Sequence, residues 1–271
     1  MRVAVIQMNS TPEVQRNLEQ AKGLLERARG EGAGVALLPE AFAYLGPDVV
    51  AAGVGENIAA GGGPILSFCQ ELASRLQMEL VLGGFWESCS QLGAERVFNT
   101  CVHLDENGGV RATYRKIHLY DVSLADGTQL QESAKVAAGQ DVIVSDSSCG
   151  KLGLSICYDL RFPELYRALV DKGAQVLCVP AAFTSTTGKD HWHALLRARA
   201  IESQSYVLAA AQVGNHYGTR SCYGHALVVD PWGVVRAECA EEPDIAIATI
   251  DLKYLERIRT QLPSLQHRVQ L

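Results

Sequence analysis

The sequence predicts an α/β fold: two mixed β-sheets packed face to face with helices outside, forming a single domain over residues 1–271. Three observations predict it. The N-terminal third alternates short apolar runs with amphipathic stretches in β-α-β-α-β order, the grammar of parallel strands joined by crossover helices. The middle carries hairpin signals instead, such as Asp105-Glu106-Asn107-Gly108-Gly109 between Val97–Leu104 and Val110–Lys116. Alternating strand and helix patterns then resume, and no Pro/Ser-rich linker or composition break divides the chain.

The elements follow in order. Arg2–Met8 reads as a buried strand. Glu13–Gly30 is a helix with Leu18, Ala21, Leu24, Leu25 and Ala28 on one face. Val35–Pro39 and Leu80–Trp86 are strands, with a loop and helix over Ala51–Leu76 between them. Val97–Leu104 and Val110–Lys116 form the hairpin, and Val142–Ser145 with Leu152–Cys157 flank a turn around Cys149-Gly150. Pro163–Lys172 is a helix, Pro163 suiting its first turn. Gln175–Pro180 is a strand, Asp190–Ser203 a helix and Tyr206–Gln212 one strand. Tyr223–Asp230 and Val234–Cys239 flank the turn Asp230-Pro231-Trp232-Gly233, before a strand over Ile245–Ile250 and a helix over Leu252–Thr260.

Composition excludes several classes. Hydrophobic residues are 48% and charged residues 20%, which is globular composition and not that of a disordered chain. A formal net charge of -6 offers no basic surface for nucleic acid. No apolar run approaches the roughly 20 residues of a membrane span. Arg2–Met8 is too short for an export signal. Eight cysteines with no C-x-x-C pair point to free thiols in a reducing cytoplasm, without a zinc or thioredoxin-type site. No glycine loop of the phosphate-binding kind is present, so no cofactor is expected.

Cys101 and Cys178 sit inside apolar strands and read as core. Cys157 differs, because it ends a strand and precedes a helix opening near Pro163. Backbone amides in such a place can stabilise a thiolate and a neighbouring oxyanion. Position alone leaves nucleophile and small core residue equally open. Glu40 likewise ends a strand, where parallel sheets carry their binding crevices. It reads either as a general base with a raised pKa or as a helix cap or surface ion pair. Lys116 closes the hairpin, with Lys116 and His118 expected on one face and Arg115 on the other. It is either solvated or set to hold a charge beside an oxyanion. A thiolate, a carboxylate and an ammonium together fit amide hydrolysis, although spacing does not show that they converge.

The segments Leu38-Pro39-Glu40, Tyr114-Arg115-Lys116-Ile117-His118-Leu119 and Cys157-Tyr158-Asp159-Leu160-Arg161-Phe162-Pro163-Glu164-Leu165 resemble, in order, the three catalytic motifs of the nitrilase (carbon–nitrogen hydrolase) superfamily. The similarity continues through His191-Trp192, Arg197-Ala198-Arg199-Ala200-Ile201-Glu202 and Asp230-Pro231-Trp232-Gly233. The chain looks closest to the Nit branch and its deaminated-glutathione amidases, through Ala209-Ala210-Ala211-Gln212, Ser221-Cys222-Tyr223-Gly224-His225, Leu262-Pro263 and Gln266-His267-Arg268.

This resemblance implies an α-β-β-α sandwich and a homodimer or higher homo-oligomer. It implies that Cys157 attacks a small amide, that Glu40 moves the protons, and that Lys116 and the Tyr158 N–H hold the oxyanion. Glu132 matches a second glutamate that positions substrate and Lys116; otherwise it reads as an exposed loop carboxylate. Arg161 sits where related amidohydrolases grip a substrate carboxylate, and alternatively reads as an ion pair with Asp159 or Glu164. The implied reaction takes deaminated glutathione to 2-oxoglutarate and cysteinylglycine. The alternative is an ω-amidase acting on 2-oxoglutaramate or succinamate.

Other classes stay in view. A Cys-His hydrolase would use His118 or His225 as base. His191 and His193 have ligand-like spacing for a strand, but a helical pattern turns them about 200° apart, so no metal is expected. A binding scaffold with a hydrolase fold has no need for Glu40, Lys116 and Cys157 together.

Overall fold

A computed structural model describes residues 1–51, 53–89, 95–123 and 129–269. The chain opens with β1 (Arg2–Met8), α1 (Val14–Gly30), β2 (Val35–Leu37), α2 (Pro64–Leu76) and β3 (Glu79–Glu87). Strands β1, β2 and β3 pair in parallel, as the alternating pattern predicts. Helix α2 starts at Pro64, and the buried Glu56 carboxylate accepts its free Ile65 and Leu66 N–H groups at 2.6 and 2.9 Å. Next come β4 (Val97–Leu104), β5 (Val110–Arg115), β6 (Asp121–Ser123), β7 (Gln129–Gln131) and β8 (Val136–Ala137). Strands β3, β4 and β5 run antiparallel, and the Asp105–Gly109 turn joins the last two.

The second sheet begins with β9 (Val144–Ser147) and β10 (Gly150–Leu154). Helix α3 (Pro163–Asp171), strand β11 (Val176–Cys178), helix α4 (Ser185–Ser203) and strand β12 (Tyr206–Ala209) follow, with β10, β11 and β12 parallel. Strands β13 (Ala211–Tyr217) and β14 (Arg220–Tyr223) form a hairpin on the first sheet. Strands β15 (Leu227–Val229) and β16 (Val235–Glu238) extend the second, β17 (Asp244–Thr249) returns to pair with β1, and α5 (Leu252–Gln261) closes the chain.

Side-chain alternation along the strands makes the layers. In β1, Val3 and Val5 join the core shared with Leu152, Leu154, Val176 and Cys178 of the second sheet. Ala4, Ile6 and Met8 face the other way, onto Leu18, Leu25, Leu66 and Leu72 of α1 and α2. Leu169, Trp192, Leu196 and Leu255 bring α3, α4 and α5 into the core of the second sheet. The result is the expected sandwich of two mixed sheets with helices outside. No helix among the described residues is long and apolar enough to cross a membrane.

Several local expectations fail; the strands expected over Leu152–Cys157 and Tyr223–Asp230 are Gly150–Leu154 and Leu227–Val229, and two further cases are instructive. Tyr206–Gln212 is not one strand: β12 ends at Ala209 in the second sheet and β13 starts at Ala211 in the first, so the chain changes sheets at Ala210. Uniformly apolar Ala209-Ala210-Ala211 conceals the break. Helix α4 begins at Ser185, five residues before its predicted start, because Ser185, Thr186, Thr187 and Gly188 carry weak helix signals.

Candidate active site

Glu40 sits in the loop after β2. Two glycines of β3 let that loop approach: a Cβ on Gly83 would lie 2.0 Å from the Leu38 carbonyl oxygen, and one on Gly84 would lie 2.8 Å from Glu40 Cα. The carboxylate is 6% exposed. Its Oε1 accepts from Asn99 Nδ2 and Lys116 Nζ, each at 2.9 Å, and its Oε2 accepts from the Ala182 N–H at 2.8 Å. Gln212 Nε2 holds the backbone carbonyl of Glu40 at 3.0 Å.

Lys116 follows β5, its N–H donating to the Asn99 carbonyl at 2.8 Å. Its side chain is not solvated; the residue is 1% exposed. Besides Glu40, Nζ contacts both Glu132 oxygens, at 3.0 and 2.9 Å. Arg115 points elsewhere, bidentate to Glu87 at 2.7 and 2.8 Å, as strand alternation predicts. The alternation does not extend to His118, because β5 ends at Arg115. The His118 ring stacks on Phe162 at 3.7 Å and its Nδ1 bonds Asp159 at 2.7 Å.

Strand β10 ends at Leu154, and Cys157 opens a short 3₁₀ turn (Cys157–Arg161) rather than ending the strand. Cys157 takes φ +47°, a left-handed conformation that costs a non-glycine residue of order 1–3 kcal/mol. Asp159 holds the turn in place. It accepts from Tyr114 Oη at 2.7 Å, Ile156 N at 2.9 Å and His118 N at 3.0 Å. The Cys157 N–H donates to the Pro180 carbonyl at 2.9 Å. The Tyr158 N–H donates to no acceptor among the described residues.

Glu40, Lys116, Glu132 and Cys157 line a cavity of about 270 Å³, together with Trp86, Tyr217 and Arg220 among others. A narrower recess opens on the other side of Cys157, lined by Tyr158, Arg161, Phe183 and Thr187. Of the six site residues expected from sequence, the fold gathers Glu40, Lys116, Glu132 and Cys157 around the cavity and places Tyr158 and Arg161 at the recess. Arg161 forms no ion pair with Asp159 or Glu164. Its guanidinium lies 5.1 Å from the Phe183 ring centre and donates to His191 Nδ1 at 3.3 Å.

Charge in the cavity is set by burial and pairing. Burial by itself raises the Glu40 carboxyl, but the Lys116 ammonium and the bonds from Lys116, Cys157 and Ala182 outweigh it and hold Glu40 below its ordinary range. The raised pKa expected from sequence is therefore corrected. Burial and the Glu40 charge push the Cys157 thiol well above its ordinary value, Lys116 opposing them only in part. For Lys116 burial acts downward, yet Glu132 and Glu40 hold its ammonium well above the usual range. The resting arrangement is thus a thiol beside a carboxylate beside an ammonium. It can pass the thiol proton to Glu40, to which Cys157 is hydrogen-bonded.

Asn99, Ala182 and Arg220 escaped the sequence reading. Asn99 bridges Glu40 and Glu132, at 2.9 and 3.3 Å. A polar pair, Asn99-Thr100, inside a fully buried strand was the available signal. Neither His118 nor His225 lines the cavity. His225 and His193 both bond Glu238 Oε1 at 2.8 Å, so neither rival histidine is placed as a base for Cys157.

Fold and site together define a hydrolase of the two-sheet sandwich type. The sequence matches the carbon-nitrogen hydrolase family over residues 2–260, and the chain belongs to that family, whose members hydrolyse carbon–nitrogen bonds. A deaminated glutathione amidase of Synechocystis is 46% identical over 269 residues, covering 98% of this chain and 97% of that protein. The crystal structure of the Caenorhabditis elegans NitFhit protein superposes with TM-score 0.91 at 40% identity, covering 98% of this chain and 64% of that one. Nit3 of Saccharomyces cerevisiae, a member of branch 10 of the nitrilase superfamily, superposes with TM-score 0.86 at 31% identity, covering 97% and 94%. These likenesses set the chain in the Nit branch.

Proposed function

We propose that this chain is an amidase that hydrolyses deaminated glutathione to 2-oxoglutarate and cysteinylglycine through a Cys157 thioester. The observation that carries the chemistry is the shared placement of Glu40: one oxygen takes the Lys116 ammonium, the other takes Ala182 N–H, and Cys157 lines the same cavity. The likeness to the Synechocystis enzyme supplies the substrate.

Glu40 accepts the Cys157 proton as sulfur attacks the amide carbon. Lys116 and the Tyr158 N–H receive the oxyanion. Glu40 returns the proton to the departing nitrogen, the amine leaves, and a water activated by Glu40 hydrolyses the thioester. One amide and one water thus yield one acid and one amine, with no cofactor or metal. Glu132 keeps Lys116 aimed, and Arg161 grips the 2-oxo carboxylate in the recess beyond Cys157.

The working unit is a homodimer at least, formed from single-domain chains in a reducing cytoplasm. Exposed Ile201 of α4 and exposed Trp232 and Val234 beside it offer an apolar face for association. All eight cysteines are free thiols, in keeping with a reducing compartment.

The test is product analysis with purified protein on deaminated glutathione, 2-oxoglutaramate, succinamate, carbamoylputrescine and an aliphatic nitrile, following cysteinylglycine and ammonium. Release of cysteinylglycine with the highest kcat/KM of the set is expected. Rapid ammonium from 2-oxoglutaramate with no cysteinylglycine from deaminated glutathione would make the protein an ω-amidase. Sedimentation at low concentration tests the dimer.

A further inference from the structure

We infer that Arg220 is a receptor for a carboxylate at the far end of the leaving group, so that the site selects amides whose amine is a short peptide with a free C-terminus. The inference rests on the proposed thioester reaction and goes beyond it in assigning the second carboxylate of the substrate.

Cys157 lines two adjoining spaces, which also share Tyr120 and Ala182. The leaving nitrogen must meet the proton held by Glu40, so the leaving group lies on the Glu40 side. That side is the cavity of about 270 Å³, near the lower end of the ~300–1,000 Å³ typical of small-molecule sites. Arg161 stands at a recess of only about 10 Å³, room for one water-sized group, so only the tip of the acyl part reaches it and the rest of the acyl chain shares the cavity.

The cavity is lined by three cations, Lys116, Lys135 and Arg220. Lys116 is fully engaged by Glu40 and Glu132. Lys135 faces Asp48 at 3.7 Å. Arg220 forms no ion pair among the described residues. Its Nη2 donates to the Ala182 carbonyl at 3.0 Å, while its Nη1 is buried with no hydrogen-bond partner among those residues. A buried guanidinium donor without an acceptor is costly unless a ligand supplies one. The planar fork suits a carboxylate, which accepts two parallel bonds from it.

Its mooring gives direction to the argument. The Ala182 peptide donates its N–H to Glu40 Oε2 and offers its carbonyl to Arg220. The guanidinium is therefore fixed, through one residue, to the carboxylate that protonates the leaving nitrogen. A dipeptide spans at most about 7 Å when extended, so its terminal carboxylate stays within a cavity of this size while its amine remains at Glu40. Deaminated glutathione carries one carboxylate at each end of the scissile amide. The site offers two guanidiniums that form no ion pair among the described residues, Arg161 at the recess and Arg220 at the cavity. 2-Oxoglutaramate has no carboxylate on the leaving side and leaves Arg220 unanswered.

The experiment compares kcat/KM for deaminated glutathione and for its C-terminal glycinamide, in the wild-type protein and in Arg220→Met and Arg220→Lys. Wild type should prefer the free acid about 10- to 100-fold, the range for a hydrogen bond to a charged group. Arg220→Met should bring that ratio close to one, chiefly through KM for the acid, and Arg220→Lys should recover part of it. An equal loss on both compounds would make Arg220 a strut for Ala182 and overturn the inference. Should Arg220→Met not fold, product inhibition of wild type decides. Cysteinylglycine should inhibit about 10-fold more tightly than cysteinylglycinamide, and equal inhibition overturns the inference. Failure of the underlying substrate reading looks different, since wild type would then release no cysteinylglycine from either compound.

Discussion

Lys116 Nζ stands 2.9 Å from Glu40 and, at 2.9 and 3.0 Å, against both oxygens of Glu132. Two carboxylates thus share one buried ammonium. Net charge stays negative around it, so Lys116 keeps its proton, while Glu40 is partly neutralised and stays ionised. The pair prepares opposite charges on either side of a protonated thiol.

That thiol gives the first prediction. Cys157→Ser and Cys157→Ala should fold normally, because the space is filled or nearly so, and should lose turnover by on the order of 10⁴ or more, the scale for removing a nucleophile. Steady-state assay with unfolding curves as control checks it. Near-normal turnover in either folded variant would falsify the assignment. Cys101 and Cys178, buried in strands, should not be able to replace it.

The pH profile follows from the pairing. Glu40 is held below its ordinary 4.5, so kcat/KM should stay level as pH falls to that value and decline only below it, as the base becomes protonated. The ammonium of Lys116 is held well above 10.5, so the alkaline limb should lie above that. The same shift governs stability. A depressed carboxyl contributes above its unfolded pKa, and the contribution is lost as pH falls through the lower folded one. A kcat/KM profile with an acid limb near pH 6 to 7 would require a histidine base and contradict the scheme.

Glu132 separates aiming from chemistry. Glu132→Gln removes one of the two charges on Lys116 while keeping the shape, so the ammonium turns to Glu40 alone. Glu40 becomes a weaker base and Lys116 is no longer aimed, which should lower kcat by ~10²-fold, the scale of a small misplacement. The acid limb should move further down in pH. A change confined to KM, with an unmoved limb, would reduce Glu132 to a substrate contact.

Much of this was legible in the sequence, and the limits are instructive. Glu40, Lys116 and Cys157 could be singled out because each closes or follows a strand pattern in the sequence. Their convergence was not readable, since it depends on two sheets facing each other and on glycines at 83 and 84 that admit the Glu40 loop. Glu132 lay between surface and site in the reading because it starts a 3₁₀ turn between short strands, with no periodicity to orient it. The protonation of Cys157 at rest was not readable from its position, because it is set by burial and the Glu40 charge. Arg220 was hidden in a polar stretch, Gly218-Thr219-Arg220-Ser221, that looks like any surface turn. Only the β13–β14 hairpin brings it over the cavity.

The last prediction concerns the strut beneath the nucleophile. Asp159 is fully buried and touches no part of the cavity, yet it ties three segments together. It accepts the Tyr114 hydroxyl from β5, both the N–H and Nδ1 of His118, and the Ile156 N–H at the base of the turn. Asp159→Asn keeps the shape but replaces one oxygen with an amine that must face a donor whichever way the amide turns. One bond becomes a donor–donor clash and the rest lose their charge, at a cost of about 1.5–3 kcal/mol. For a chain of this size each kcal/mol lowers Tm by roughly 2–4 °C, so a fall of about 3–12 °C is expected. The left-handed Cys157 backbone depends on the same turn, so kcat should drop with it while KM changes less. Thermal unfolding and steady-state kinetics on the purified variant measure both. If Tm falls without loss of kcat at a temperature where the variant remains folded, the turn holds Cys157 without Asp159, and the strut belongs to stability alone.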